Sequence, residues 1–72
     1  MKVNKSQALM HILSVLIQDR YVDKNDIISR LEINDLTYRR YIQEIRAFLI
    51  NFNQPYEVIY NKREDRYYLI SN

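Results

Sequence analysis

The chain of 72 residues contains no cysteine and no glycine, and it has a single histidine. The lack of cysteine excludes a disulfide and a cysteine-ligated metal site. The lack of glycine excludes a glycine-rich phosphate-binding loop, and no pair of carboxylates has a spacing that suits acid–base catalysis. We therefore expect no enzymatic activity, no metal and no cofactor.

Long apolar runs are also missing, since the longest, such as Ala47–Ile50, has four residues. A membrane-spanning helix needs about 20 consecutive apolar residues, so no membrane span is expected. The polar start of the chain, Met1–Ser6, is not followed by an apolar segment of the signal-peptide type. We therefore expect an unprocessed cytoplasmic protein, and its length predicts one domain over residues 1–72.

The net charge of +2 is too small to indicate nucleic-acid binding by itself. Residues 1–36 hold five basic and five acidic side chains, whereas residues 37–72 hold six basic and four acidic ones, so the whole excess lies in the second half. Asn, Ile, Lys and Tyr are abundant, and all four have A/T-rich codons. This composition indicates a bacterial, plasmid or phage source with an AT-rich genome.

Three segments have apolar residues at the spacing of an amphipathic helix. The first predicted helix covers residues 5–19, with Asn4 or Ser6 as its cap. The second covers residues 24–31, with Asp23 as its N-cap. The third covers residues 35–51, with Asn34 or Asp35 as its cap. The expected buried set of the third helix is Leu36, Tyr38 or Tyr41, Ile42, Ile45, Leu49 and Phe52.

After Pro55 the apolar period changes to two, which is typical of strands. The segments YEVIY and RYYLI predict a β-hairpin over residues 56–70, with a basic turn between its strands. We expect Asn61 to take the left-handed conformation in that turn, because asparagine tolerates it better than most residues. Upstream, Tyr21 and Val22 form a short connection with strand character.

Helix, turn, basic helix and hairpin together predict an α+β fold, a three-helix winged helix-turn-helix with a C-terminal two-stranded β-hairpin wing. Residues 31–45, LEINDLTYRRYIQEI, resemble the DeoR-type helix-turn-helix found at the N-terminus of WYL-domain transcriptional regulators. The matching positions are Leu31, Thr37, Arg40 and Ile42, with conservative variants at Ile33 and Ile45. The resemblance implies duplex-DNA binding, with residues 35–51 as the recognition helix and residues 56–70 as the wing.

The chain departs from this family pattern at three positions. Asn34 stands where the pattern has serine, Leu36 replaces an arginine, and Tyr41 replaces an aspartate. Asn34 is still able to cap the helix, but Leu36 removes one candidate DNA contact. The base-reading scheme of the family is therefore not transferred to this chain unchanged.

A helix fits the major groove of DNA, with its N-terminal residues facing base edges and phosphates. Arg39 and Arg40 lie about 100° apart on a helix, so we expect one to read bases and the other to contact phosphate. The resemblance favours Arg40 for the bases. The wing turn would present its basic residues to the backbone or minor groove, although Glu64 and Asp65 oppose this. The candidate DNA-binding residues are Asn34, Thr37, Tyr38, Arg39, Arg40, Tyr41, Arg46, Lys62, Arg63 and Arg66.

The sequence leaves two functions open. The first is a sequence-specific transcriptional regulator, or its DNA-binding domain, that binds double-stranded DNA as a homodimer without a small-molecule ligand. The second is a protein-interaction module of the same fold, such as a phage antirepressor or assembly factor. In that second case the arginine pair would be a solvated helix face and the wing a polar turn. Helix one and the tyrosine-rich hairpin are the candidate dimer interfaces.

Overall fold

The computed structural model describes residues 3–71, which form three helices and a three-stranded antiparallel sheet. Met1, Lys2 and Asn72 lie outside the described residues. The expectation about the polar segment Met1–Ser6 therefore falls partly outside them. The helices are α1 (Lys5–Asp19), α2 (Lys24–Leu31) and α3 (Asp35–Asn51), and the strands are β1 (Tyr21–Asp23), β2 (Tyr56–Asn61) and β3 (Arg66–Ser71). The class is α+β, and the helices have the predicted bounds.

Each helix begins at a short polar residue whose side chain accepts a hydrogen bond from the first turn. Asn34 Oδ1 accepts from the Thr37 amide at 2.8 Å, and Asn4 Oδ1 accepts from the Gln7 amide at 2.8 Å. Asp23 caps α2 through a longer contact of 3.4 Å to the Asp26 amide. Such caps satisfy backbone donors that have no partner inside the helix, and this is why the helix starts follow the sequence closely.

The chain turns through left-handed residues although it has no glycine. Arg20 and Glu32 take positive φ angles of 71° and 55° at the ends of α1 and α2. In the β2–β3 turn the left-handed residue is Asp65, with φ 55°, and the expectation that Asn61 would take this role is wrong. Asn61 still pairs with Arg66 as the last residue of β2, and its side chain accepts a hydrogen bond from the Glu64 amide at 3.0 Å.

The sheet contains one strand more than the predicted two-stranded hairpin. Its order is β1-β3-β2, with Tyr21 opposite Tyr68 and Ile59 opposite Tyr68 on the other side. The link between α1 and α2 therefore joins the hairpin, because β3 offers a free edge to which the short extended segment Tyr21–Asp23 can hydrogen-bond. This pairing ties the helical half of the chain to its C-terminal hairpin.

The core lies between the three helices and the inner face of the sheet. Leu36 is 58% exposed, so the expectation that it is buried is wrong, and the same holds for the exposed Phe52. Leu36 is two residues before the buried Tyr38, a rotation of about 200° that places it on the outer face of α3. Phe52 follows the last residue of the helix. The buried residues are Ala8, Ile12, Leu16, Val22, Ile27, Leu31, Tyr38, Ile42, Ile45, Leu49, Val58 and Leu69.

Candidate nucleic-acid interface

The outer face of α3 is set by the way that α2 and α3 are joined. Glu32 reverses the chain after α2, and the Ile33 amide donates to the Ile28 carbonyl at 3.1 Å. The cap at Asn34 then starts α3. With Ile42 buried against the other helices, Arg40 points outward, since two residues correspond to about 200° of rotation. Arg40 is exposed and has no ion pair among residues 3–71.

Arg39 has a different environment from its neighbour. Its guanidinium lies 3.3 Å from Oδ2 of Asp35, one helical turn earlier. The pair is exposed, so its attraction is partly screened by water. Arg39 is therefore held along the helix by a carboxylate that a DNA phosphate would have to displace, whereas Arg40 carries an unpaired charge.

Tyr38 is not a surface residue, and the expectation that it contacts DNA is wrong. Its side chain is 1% exposed, and its ring packs against Tyr67 with the ring centroids 5.9 Å apart. Its hydroxyl has no hydrogen-bond partner among the described residues. Burial raises the pKa of Tyr38 well above its usual range. The helical spacing permitted either Tyr38 or Tyr41 in the core, and the packing of the sheet against α3 selected Tyr38.

The remaining candidate DNA-binding residues at the N-cap and in the first half of α3 have structural roles or are half-buried. The Asn34 side chain is exposed, but its Oδ1 is occupied by the helix cap. Thr37 and Tyr41 are half-buried, and Tyr41 packs against the core on the α1 side of the helix. These three residues flank the outer face rather than lie at its centre.

The β2–β3 turn presents two basic residues and two acidic ones. Lys62 and Arg63 are exposed and have no ion pair within the described part of the chain. The acidic pair, by contrast, is occupied: the Tyr68 hydroxyl donates to Glu64, and the Tyr60 hydroxyl donates to Asp65 at 2.8 Å. These hydrogen bonds leave both carboxylates negatively charged. Their charges are offset by Lys24, 3.1 Å from Asp65, and by Arg66, 4.0 Å from Glu64, whereas Lys62 and Arg63 have no carboxylate partner within residues 3–71.

Two predicted contact residues pack on the sheet instead of joining these cations. The Arg66 guanidinium lies over the Tyr21 ring, 4.6 Å from its centroid, and its Nε is 3.5 Å from Asp23. Arg46 lies over the ring of Tyr67 on the inner side of the sheet, at 5.7 Å, and its Nε is buried without a hydrogen-bond partner. Both side chains stabilise the packing of the sheet, and neither is grouped with Arg40.

Lys24 belongs to this region although sequence reasoning assigned it only to the start of α2. Its ammonium lies 3.1 Å from Asp65 and 3.6 Å from Asp35, so it joins the hairpin turn to the first turn of α3. No local sequence signal indicates this, because the three residues come from three separate segments. The cleft beside it, of about 310 Å³, is lined by Lys24, Tyr38, Arg39, Gln43, Tyr60, Asp65 and Tyr67.

Other kinds of site have little support within residues 3–71. This part of the chain contains no group of three or more histidine or acidic side chains arranged to hold a metal ion. Its helices also lack the length and apolar character needed to cross a membrane. Comparison of the chain with protein-family models, with curated proteins and with solved structures gives no match. Any function is therefore inferred from geometry and charge.

Proposed function

We propose that this chain is a winged helix-turn-helix domain that binds duplex DNA sequence-specifically, as a transcriptional regulator or its DNA-binding domain. In this proposal α3 is the recognition helix in the major groove, and the β2–β3 turn is the wing on the backbone or adjacent minor groove. The supporting observation is the position of the unpaired cations. Within residues 3–71, four basic side chains have neither an ion pair nor an aromatic ring contact, and three of them, Arg40, Lys62 and Arg63, lie on α3 and the turn.

The outer face of α3 carries groups that suit base edges. Arg40 is able to donate two hydrogen bonds to guanine, and Leu36 offers an apolar contact for a thymine methyl group. Leu36 would therefore contact DNA in this proposal, although the DeoR-type pattern that the sequence resembles has an arginine at this position. A good bidentate contact discriminates between bases by about 1–3 kcal/mol, so Arg40 is the residue on which specificity would depend most.

The basic residues near the groove would divide their roles. Arg39, which is paired with Asp35, would contact a phosphate by exchanging that ion pair. Lys62 and Arg63 would need no such exchange, since neither has an ion pair in the described part of the chain. Phosphate contacts give affinity but do not distinguish one DNA sequence from another, whereas a base contact by Arg40 would supply that distinction.

The direct test is a titration of the chain into labelled mixed-sequence and AT-rich duplexes, followed by fluorescence anisotropy at two salt concentrations. Several phosphate contacts predict a loss of affinity of about tenfold or more between roughly 50 and 200 mM salt. Absence of binding to every duplex at low salt would overturn the proposal.

Variants then assign the binding to α3. Arg40→Ala is expected to weaken binding to the preferred duplex by about tenfold or more. Arg30→Ala is the matched control, because Arg30 is also exposed and has no ion pair within residues 3–71, but it lies on α2, beside Val3 and His11. Equal loss in the two variants would show that general charge, not α3, accounts for binding. Circular dichroism of each variant confirms that it is folded.

The second candidate function is a protein-interaction module such as a phage antirepressor or assembly factor. Exposed apolar side chains favour it: Leu36 on the outer face of α3, and Met10 and Phe48 beside a groove between α1 and α3. Unchanged DNA binding in folded Arg40→Ala would favour this function, as would a lack of salt dependence. A charged substitution at Leu36 would then disrupt the protein complex without affecting the fold.

A further inference from the structure

Strand β2 has a free edge with little protection. In the order β1-β3-β2 it pairs on one side only within residues 3–71, along all six of its residues, Tyr56–Asn61. Natural sheets usually protect such an edge with charged side chains, lysine above all, with proline, with a bulge or with a very short strand. Within β2 the one such residue is Glu57, and Pro55 lies just before the strand. The free backbone groups of this strand are therefore open to pairing.

The direction of these backbone groups follows from one hydrogen bond. The Leu69 amide donates to the Arg20 carbonyl at 2.8 Å, so Leu69 directs its backbone groups toward β1. Successive residues of a strand point to opposite sides, and Tyr68 therefore bonds toward β2, where its partner is Ile59. By the same alternation, the N–H and C=O groups of Val58 and Tyr60 point away from the sheet, to the free edge.

A groove with apolar walls runs beside this edge. It has a volume of about 330 Å³ and is lined by Arg46, Leu49, Ile50 and the strand residues 56–60. Ile50, at 74% exposure, is the most exposed large apolar side chain of the described residues. On the opposite, outer face of the sheet, Ile59 is 41% exposed. An added strand would cover apolar surface on both faces while pairing its backbone.

We propose that β2 pairs antiparallel with β2 of a second copy of this chain, about a two-fold axis at Ile59, to form a continuous six-stranded sheet. A second copy is the occupant because the edge is complementary to itself. With the axis at Ile59, the two Ile59 side chains face each other and Glu57 faces Asn61. No like charges are opposed. Val58 of each copy exchanges backbone hydrogen bonds with Tyr60 of the other.

The proposed dimer is independent of the proposed DNA binding, but its geometry is compatible with DNA binding. The two-fold axis is perpendicular to the sheet, so both copies of α3 lie on the same face. The two β2–β3 turns lie at opposite ends: Arg63 is four residues from the axis, about 13 Å at the rise of a strand, so the turns are about 26 Å apart. Two DNA-contacting units held in this way would favour a two-fold symmetric operator.

The first test compares two lysine substitutions on the outer face of the sheet by analytical ultracentrifugation of the full chain, from low to high micromolar concentration. Ile59→Lys places two ammonium groups against each other at the axis, and we expect it to weaken dimerisation by at least about tenfold. Ile70→Lys is the matched control, since Ile70 is 45% exposed on β3, one strand from the edge. It should leave the dimer intact. Thermal unfolding shows whether both variants are folded.

The second test addresses the backbone at Tyr60. Tyr60→Pro removes an amide that points to the free edge, whereas Tyr60→Ala keeps the amide and removes the same ring contacts. Only the proline variant should become monomeric, and the Val58 and Tyr60 amides of the natural chain should exchange hydrogen more slowly as its concentration rises. A chain that stays monomeric at high micromolar concentration overturns the proposal. So does a dimer that is weakened equally by Ile70→Lys, or one that persists in both Ile59→Lys and Tyr60→Pro.

These outcomes are separate from those of the DNA titration. A monomeric Ile59→Lys variant retains Arg40, Lys62 and Arg63, and it should still bind duplex DNA through one unit, with lower affinity for a two-fold symmetric site. Binding without dimerisation, or dimerisation without binding, would each contradict one proposal and leave the other standing.

Discussion

The ammonium of Lys24 lies 3.1 Å from Oδ2 of Asp65, an ion pair that joins the first residue of α2 to the β2–β3 turn. The same ammonium lies 3.6 Å from Asp35 at the start of α3. The Tyr60 hydroxyl completes the cluster with a hydrogen bond to Asp65. The cluster joins the turn to α2 and α3, and so influences where Lys62 and Arg63 lie relative to these helices.

Stability at acidic pH should depend on Asp65. The hydrogen bond from Tyr60, followed by the contact with Lys24, lowers the pKa of Asp65 from its ordinary value of 3.8. The folded chain thus binds this proton less tightly than the unfolded chain. The contribution is therefore present above about pH 3.8 and is lost as the pH falls through the lower, folded pKa. Urea unfolding across this range should show a smaller pH dependence for Asp65→Asn than for the natural chain. Asparagine tolerates the left-handed backbone of Asp65, so identical pH profiles would refute the role of the carboxylate.

Replacing Tyr38 by phenylalanine should stabilise the chain. The Tyr38 hydroxyl is buried and has no hydrogen-bond partner among residues 3–71, and leaving such a group unsatisfied costs about 1–3 kcal/mol. Removing it while keeping the ring should raise the free energy of unfolding by about 1 kcal/mol, measured by urea denaturation. Tyr38→Ala, in contrast, should cost about 3–5 kcal/mol, because it leaves a cavity. A loss of stability in the phenylalanine variant would show that the hydroxyl has a partner.

The buried Tyr38 hydroxyl should also make the chain less stable at alkaline pH. Burial raises the pKa of Tyr38 above its ordinary value of 10.0, so the folded chain holds this proton more tightly than the unfolded one. Its contribution is full below pH 10.0 and declines as the pH rises above that value. Thermal melting between neutral and alkaline pH should therefore show a smaller decline for Tyr38→Phe. Parallel curves for the two proteins would contradict this.

Asp35→Asn should increase DNA affinity if the proposed function is correct. The substitution frees Arg39 from its ion pair and removes a negative charge from the groove-facing end of α3. We expect a rise of a few-fold at low salt, on the order of 1 kcal/mol or less, which becomes smaller as salt screens the charges. Asp19→Asn, at the end of α1, is the control for net charge. Equal gains in the two variants would show that no specific ion pair is exchanged.

The cap at Asn34 should contribute to stability through its side-chain oxygen. Asn34→Ala removes the acceptor for the Thr37 amide and should lower the free energy of unfolding by about 1 kcal/mol. Asn34→Ser retains an acceptor and should restore most of the loss. Chemical denaturation measures both variants, and an effect that serine does not restore would assign the role of Asn34 to another contact.

Local features of the sequence determined where the helices begin and which segments after Pro55 form strands. Asp23 and Asn34 identify helix starts because their side chains bond to amides only three residues away. The alternation of Glu57, Val58 and Ile59 indicates a strand with one buried face, and in the structure Val58 is buried. Interactions of this range depend on neighbouring residues alone, which is why they can be read without the fold.

Only the tertiary structure decided which side chains lie at the surface and which are paired. Tyr38 and Tyr41 both fit the helical period, but the sheet covers the Tyr38 side. The sequence made Arg46 and Arg66 candidate DNA contacts beside Arg40, yet Arg46 and Arg66 pack on aromatic rings of the sheet. The pairing of Tyr21–Asp23 with β3 and the contact of Lys24 with Asp65 join residues that are 41 to 47 positions apart in the sequence. Helix caps and apolar periodicity depend on the local backbone, whereas these contacts depend on how distant segments pack. The tertiary structure, and not the sequence pattern, therefore decided that Arg40, Lys62 and Arg63 are the cations of the candidate interface without an ion pair within residues 3–71.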